Sequence, residues 1–182
     1  MVSDFRKKKL QHVFTAFFDT NKSGSVDRKD FELAVVNISQ MRGWKAGDAK
    51  YKEVEDTLMK IWDALQKQGD ADNDGQVTLD EWVAMCDNYA KNPAADSWIN
   101  LYCRFMYQLE DASDDGAIDR EEFAAVFASF GLSQDEAAAA FSKMASGKTS
   151  ISWPEFQDLW KEYFAADNAD APGNFIFGKT SF

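Results

Sequence analysis

Three acidic segments of the chain carry oxygen-bearing side chains at a regular alternating spacing. Each is twelve residues long, and they span 19–30, 70–81 and 111–122. Asp, Asn or Ser occupies the first, third and fifth positions, and glycine occupies the sixth. Oxygens arranged in this way around a sharp turn suit a hard divalent cation, since Ca²⁺ takes six to eight oxygen ligands at about 2.3–2.6 Å. The spacing therefore predicts three Ca²⁺ sites.

The predicted ligands occupy positions one, three, five, seven and twelve, and position seven offers its backbone carbonyl. In chain order they are Asp19, Asn21, Ser23, Ser25 and Asp30, then Asp70, Asp72, Asp74, Gln76 and Glu81, then Asp111, Ser113, Asp115, Ala117 and Glu122. At position nine, Thr78 is expected to act through water. For Asp27 and Asp119 direct and water-mediated coordination both stay open.

A fourth segment, 144–155, aligns on Glu155 at position twelve but lacks the other ligands. Its first, third and fifth positions hold Met144, Ser146 and Lys148. An ammonium group therefore stands where a carboxylate is needed, and Thr149 replaces the glycine of the turn. We expect this degenerate loop to bind no ion.

Helical periodicity flanks all four segments, as in the apolar residues Leu10, Val13, Phe14 and Phe17 before the first. The unit is thus helix, loop, helix, and four units give eight helices. The fold class is predicted to be all-α, with the units in two pairs forming one compact body. The N-terminal pair is assigned to 1–92, the C-terminal pair to 93–165, and a tail that packs on the body to 166–182.

Position eight of each segment holds an apolar β-branched residue. These four residues are Val26, Val77, Ile118 and Ile151. We expect two-residue β links between paired loops, with Val26 opposite Val77 and Ile118 opposite Ile151. The fourth unit would then support the third structurally.

Composition limits the classes of partner and reaction. With 31 Asp and Glu against 20 Lys and Arg, the formal charge is -11, which argues against nucleic acid as a partner. The two cysteines are too few for a disulfide scaffold, and no signal peptide or lipidation motif is evident, so a cytoplasmic monomer is expected. His12 is the only histidine and lacks a nucleophile arrangement around it, so no enzymatic activity is predicted.

Two further segments allow alternative interpretations. The basic run at 6–9 is interpreted as a solvated helix face, and its alternative role is attraction to an anionic membrane surface. In the tail, Gly173, Gly178, Lys179 and Thr180 match the phosphate-loop pattern. Only two residues follow, which leaves no room for the helix that binds phosphate, so the match is weak support for GTP binding. Burial of the apolar residues 175–177 against the helices is the favoured interpretation of the tail.

These loops, with their flanking helices and the degenerate last loop, resemble those of EF-hand proteins. Over essentially the whole chain, the pattern is similar to the invertebrate sarcoplasmic calcium-binding proteins and, within that group, to the calexcitins. The resemblance implies a neuronal calcium sensor or signalling modulator that associates reversibly with membranes, acts on ion channels and binds GTP. A cytosolic calcium buffer is the alternative.

The first loop differs from the others at position twelve, where Asp30 replaces glutamate. A shorter side chain reaches less far and supplies fewer oxygens, which suits the smaller, six-coordinate Mg²⁺. We predict that Mg²⁺ competes with Ca²⁺ most effectively at this loop. A calorimetric Ca²⁺ titration at increasing Mg²⁺ concentration tests this, and a first site that is the least affected by Mg²⁺ would contradict it.

Overall fold

The structure is a computed structural model that describes residues 2–182. Within these residues it contains eight α-helices, which confirms the all-α fold of four helix-loop-helix units. The helices are α1 (Asp4–Val13), α2 (Arg28–Arg42), α3 (Ala49–Gly69), α4 (Leu79–Lys91), α5 (Trp98–Glu110), α6 (Arg120–Ser129), α7 (Gln134–Ala145) and α8 (Trp153–Ala165). The strands are β1 (Ser25–Val26), β2 (Val77–Thr78), β3 (Ala117–Asp119) and β4 (Ser150–Ser152). A π-helical turn, Phe14–Phe18, extends α1, and a 3₁₀ turn, Pro172–Phe175, follows α8.

Each helix that leaves a loop begins with a reciprocal pair of hydrogen bonds. The cap side chain accepts from a backbone N–H in the first turn, and the acid three residues later accepts from the backbone N–H of the cap. The pairs are Asp27 and Asp30, Thr78 and Glu81, Asp119 and Glu122, and Ser152 and Glu155. Such caps stabilise a helix start by about 1 kcal/mol. Positions nine and twelve of each loop therefore also define where the next helix begins.

The two antiparallel β links have the predicted partners. Val26 lies opposite Val77, and Ile118 lies opposite Ile151. All four side chains are buried. The second link extends over three residue pairs, one more than expected. Besides Ile118 and Ile151, Ala117 pairs with Ser152 and Asp119 pairs with Ser150. Each link fixes two loops side by side.

Aromatic side chains from both halves of the chain form one continuous core. Phe18 lies between them, with its ring centroid 4.7 Å from that of Trp82, 5.4 Å from that of Trp98 and 4.6 Å from that of Tyr102. Aromatic pairs at such distances add about 0.5–1.5 kcal/mol each beyond the burial of their area. No helix in residues 2–182 combines the length and apolar character that crossing a bilayer requires.

The C-terminal residues pack into this core. Ile176 and Phe177 are fully buried. The Phe177 ring centroid lies 5.4 Å from that of Phe17, 4.9 Å from that of Trp160 and 4.7 Å from that of Tyr163. The tail thereby joins the first helical segment to the last helix.

The expectation that residues 6–9 form a solvated face is wrong for two of the four. Arg6 and Lys9 are buried, whereas Lys7 and Lys8 are exposed. The Lys9 ammonium donates to the carbonyls of Tyr163 and Ala166 and to Oδ1 of Asn174, each at 2.7 Å, and Arg6 donates to the carbonyl of Phe164. The last carbonyls of a helix have no partner within the helix and attract cations, so α1 caps the end of α8. Burial, together with the charge of Arg6, lowers the pKa of Lys9 to about 8.

We predict that Lys9→Met destabilises the protein by about 2–4 kcal/mol, because three buried oxygen acceptors lose their donor. Lys8→Met removes the same charge from an exposed position of the same helix and should change the free energy of unfolding by less than about 0.5 kcal/mol. Urea denaturation followed by Trp fluorescence measures both. Equal stability of the two variants would show that the buried ammonium does not stabilise the end of α8.

Candidate metal centres

Three loops share one backbone path. The fourth residue of each has a positive φ of 58° to 60°, at Lys22, Asn73 and Asp114. The sixth has a φ of 84° to 90°, at Gly24, Gly75 and Gly116. Glycine adopts this conformation without the steric cost that a Cβ atom imposes. The two left-handed residues turn the chain inside the loop so that alternate side chains point toward its centre.

The first aspartate of each loop is held by backbone N–H groups on the far side of the turn. Asp19 accepts from the N–H of Ser23 at 2.8 Å and from that of Gly24 at 3.0 Å. Asp70 and Asp111 accept from the fifth and sixth residues of their own loops in the same way, at 3.0–3.1 Å. These bonds fix the carboxylate toward the loop interior.

The acid at position twelve closes each loop. Its carboxylate accepts one N–H from position nine and a second from the start of the loop. The second donor is Asn21 for Asp30, Ala71 for Glu81 and Ser113 for Glu122, at 2.8–3.0 Å. Both ends of the loop thus converge on one carboxylate.

The remaining predicted ligands lie between these two anchors. In the second loop the carboxylate oxygens of Asp70, Asp72 and Asp74 lie within 4.8 Å of one another, a spacing that a metal ion can bridge. In the first loop Ser23 Oγ donates to the carbonyl of Ser25 at 2.9 Å. At position nine, Asp27 and Asp119 accept backbone N–H groups as helix caps.

The first loop is the most enclosed at position twelve. Asp30 is fully buried, and this burial raises the pKa of its carboxyl despite the N–H groups of Asn21 and Asp27. Glu81 is half-buried, and the N–H of Thr78 lowers its pKa. The acid at position twelve is thus fully buried in the first loop and only partly buried in the two loops that end in glutamate.

The fourth loop holds a cation of its own. The Lys148 ammonium contacts the Glu155 carboxylate and lowers its pKa to about 2. The helix before the loop continues to Ala145, so Met144 is helical and buried. The carboxylate at position twelve therefore forms an ion pair with a lysine of its own loop.

Known proteins match the three loops, and some of them align with this chain over its whole length. The EF hand family matches residues 16–36, 67–86 and 111–128. Calexcitin-1 of Caenorhabditis elegans is 30% identical over 186 aligned positions, which cover 100% of this chain and 90% of the relative. The chain belongs to the calexcitin and sarcoplasmic calcium-binding protein group of EF-hand proteins. It is therefore a Ca²⁺-binding protein of this group.

Two further comparisons extend the match to the sarcoplasmic branch of the group. Sarcoplasmic calcium-binding proteins I, III and IV of Branchiostoma lanceolatum are 28% identical, with 98% of both chains covered. The solved structure of a sarcoplasmic calcium-binding protein from amphioxus superposes with a TM-score of 0.79 at 26% identity, covering 97% of this chain and 98% of that one.

The tail glycines of this calexcitin-type chain have packing roles. A Cβ atom on Gly173 would lie 2.5 Å from the carbonyl oxygen of Leu159, and one on Gly178 would lie 2.8 Å from the ring of Phe127. The N–H and hydroxyl of Thr180 both donate to the Glu136 carboxylate at 3.1 Å. The residues that match the phosphate-loop pattern thus contact protein groups.

Two residues near the third loop were not predicted from the sequence. Tyr107 donates its hydroxyl to the carbonyl of Gly116 at 2.6 Å, and Arg42 donates to the carbonyl of Leu109. Neither contact involves a side chain at a ligand position, so the spacing of the ligands carries no signal for them.

We predict that Glu122→Gln weakens Ca²⁺ binding at the third loop by about tenfold or more, because loss of an outer-shell partner alone costs about 10–100-fold. Glu121→Gln is the matched control, since Glu121 is adjacent, exposed and equally charged. Calorimetric Ca²⁺ titration should show one weakened site in the first variant and three unchanged sites in the second. Equal affinities in both variants would remove Glu122 from the ligand set.

Proposed function

We propose that the chain binds three Ca²⁺ ions, one in each of the loops 19–30, 70–81 and 111–122, through the fifteen ligands predicted above. The observation that carries this proposal is the hydrogen-bond arrangement common to the three loops, which fixes an acid at positions one and twelve of each. The fourth loop differs because Lys148 contacts Glu155. The proposal assigns no catalytic reaction.

Filling the loops would also stabilise the fold. Three Ca²⁺ ions change a formal charge of -11 to about -5 and relieve repulsion between carboxylates. Since Val26 pairs with Val77 across the first β link, an ion in one loop restrains its neighbour as well.

The geometry favours a cytosolic calcium buffer of the sarcoplasmic type. A sensor of the calmodulin class exposes an apolar groove when it binds Ca²⁺. In residues 2–182 the exposed large hydrophobic residues are Leu33 and Val36, each only 38% exposed. Most of the aromatic side chains lie in the core, where they stabilise the body and leave little surface for a protein target.

A neuronal calcium sensor or signalling modulator is the second candidate, and it would require the tail to move. Residues 175–177 pack on α7 and α8, so a channel segment or a membrane surface could replace them. In this case Ca²⁺ would have to release the tail. GTP binding has no comparable support, since Thr180 contacts Glu136.

Calorimetric titration should give three Ca²⁺ ions per chain, and two or four would contradict the proposed sites. Retention on phenyl-agarose and on phosphatidylserine vesicles, with and without Ca²⁺, separates the two roles. A buffer is retained in neither condition, because its apolar residues stay buried. Ca²⁺-dependent retention on either material would instead identify a sensor.

A further inference from the structure

A cleft of about 540 Å³ lies beside the third loop. One wall is formed by the end of α2 and the first half of α3, and the other by α5 and the start of the loop. Trp153, the first residue of α8, completes the cleft. This volume falls within the roughly 300–1,000 Å³ typical of small-molecule sites. The predicted Ca²⁺ coordination uses only Asp111 of its lining residues.

Aromatic rings line both walls. Trp44 lies on the α2–α3 side, and Tyr107 and Trp153 lie on the other, with their ring centroids 5.0 Å apart. The Tyr107 hydroxyl already donates to the carbonyl of Gly116. Trp44 and Trp153 are both half-buried and offer apolar surface to a ligand with a flat ring.

Two arginines in the cleft lack a carboxylate partner. Neither Arg42 nor Arg104 forms an ion pair within residues 2–182, although acids outnumber bases in the chain. The Arg104 guanidinium carbon lies 5.8 Å from the Trp153 ring centroid, and Arg42 donates to the carbonyl of Leu109. Lys50, the third cation of the cleft, is paired with Glu53 at 2.9 Å. The two guanidinium groups therefore keep N–H donors for an anion.

We propose that this cleft binds a small organic anion with a planar aromatic body, and that Ca²⁺ in the third loop strengthens the binding. Aromatic rings would hold the body of the ligand, and Arg42 and Arg104 would bind its carboxylate, sulfonate or phosphate. Only the Ca²⁺ dependence rests on the proposed function.

The Ca²⁺ dependence follows from the charges that line the cleft. The cations Arg42, Lys50 and Arg104 are balanced by the acids Glu53, Asp111 and Asp114. A Ca²⁺ ion bound through Asp111 changes this balance from neutral to about +2, which favours an anion nearby. By linkage, the anion must strengthen Ca²⁺ binding at the third loop by the same factor.

The test compares 2-naphthoate with 2-naphthamide, which have the same shape but differ in charge. Calorimetry on the Ca²⁺-loaded protein should show naphthoate binding at least about tenfold more tightly, because only the carboxylate makes charge-assisted bonds to the arginines. Arg104→Gln should weaken naphthoate binding about tenfold and leave naphthamide binding unchanged. Arg120→Gln, an exposed arginine of the third loop outside the cleft, is the control and should have no effect on naphthoate. Equal binding of the two probes, or no effect of Arg104→Gln, would overturn the proposal.

Glu122→Gln separates the cleft from the Ca²⁺ site. In the unaltered chain, removal of Ca²⁺ should weaken naphthoate binding, whereas in the variant the same effect should require at least about tenfold more Ca²⁺. If three Ca²⁺ ions bind but the affinity for naphthoate does not change with Ca²⁺, the coupling is wrong and the proposed function stands. If the third loop takes up no Ca²⁺ while Arg104-dependent naphthoate binding persists, the three-site function fails and the anion cleft stands without its coupling.

Discussion

Each loop must hold several acidic groups within a few ångströms of one another, and this crowding of like charge is the constraint on which the structure depends. Backbone N–H groups offset part of this repulsion, because each carboxylate at positions one and twelve accepts hydrogen bonds from two of these groups. The position-twelve carboxylate is also the partner of the helix cap. A change in its coordination therefore acts on the start of the following helix, which links ion binding to helix position.

In the fourth loop, a lysine side chain offsets the negative charge of the acid at position twelve. Lys148 supplies a positive charge to Glu155, and Ser152 and Glu155 still form the helix cap. Ile151 keeps its place opposite Ile118. The third loop thus has a paired neighbour in which an ammonium group of the loop itself contacts the carboxylate at position twelve.

The features that the sequence predicts are those set by local spacing. The turn glycines and the pairing of Val26 with Val77 depend on positions within or between similar loops, so a repeated pattern indicates them. The burial of Lys9 and the exposure of Lys8 could not be predicted from a local pattern, because both are lysines on the same helix. Only the contacts of Lys9 with the distant end of α8 distinguish them. The cleft beside the third loop is equally non-local, since Arg42 and Trp153 are brought together only by the packing of the units.

The contacts at the two ends of the chain bear on how far the body can open. Releasing the tail would expose Phe177, at a cost of about 1.5–3 kcal/mol for its burial. It would also break the bond from Lys9 to Asn174, and such bonds from charged groups contribute about 1.5–3 kcal/mol each. A ligand must favour one state by about 5.5 kcal/mol to reverse a 99:1 population. Ca²⁺ would have to bind the open form more tightly by a free energy of this order, whereas a closed buffer requires no such difference. The tail contacts therefore favour buffering, unless binding of a target supplies the remaining free energy.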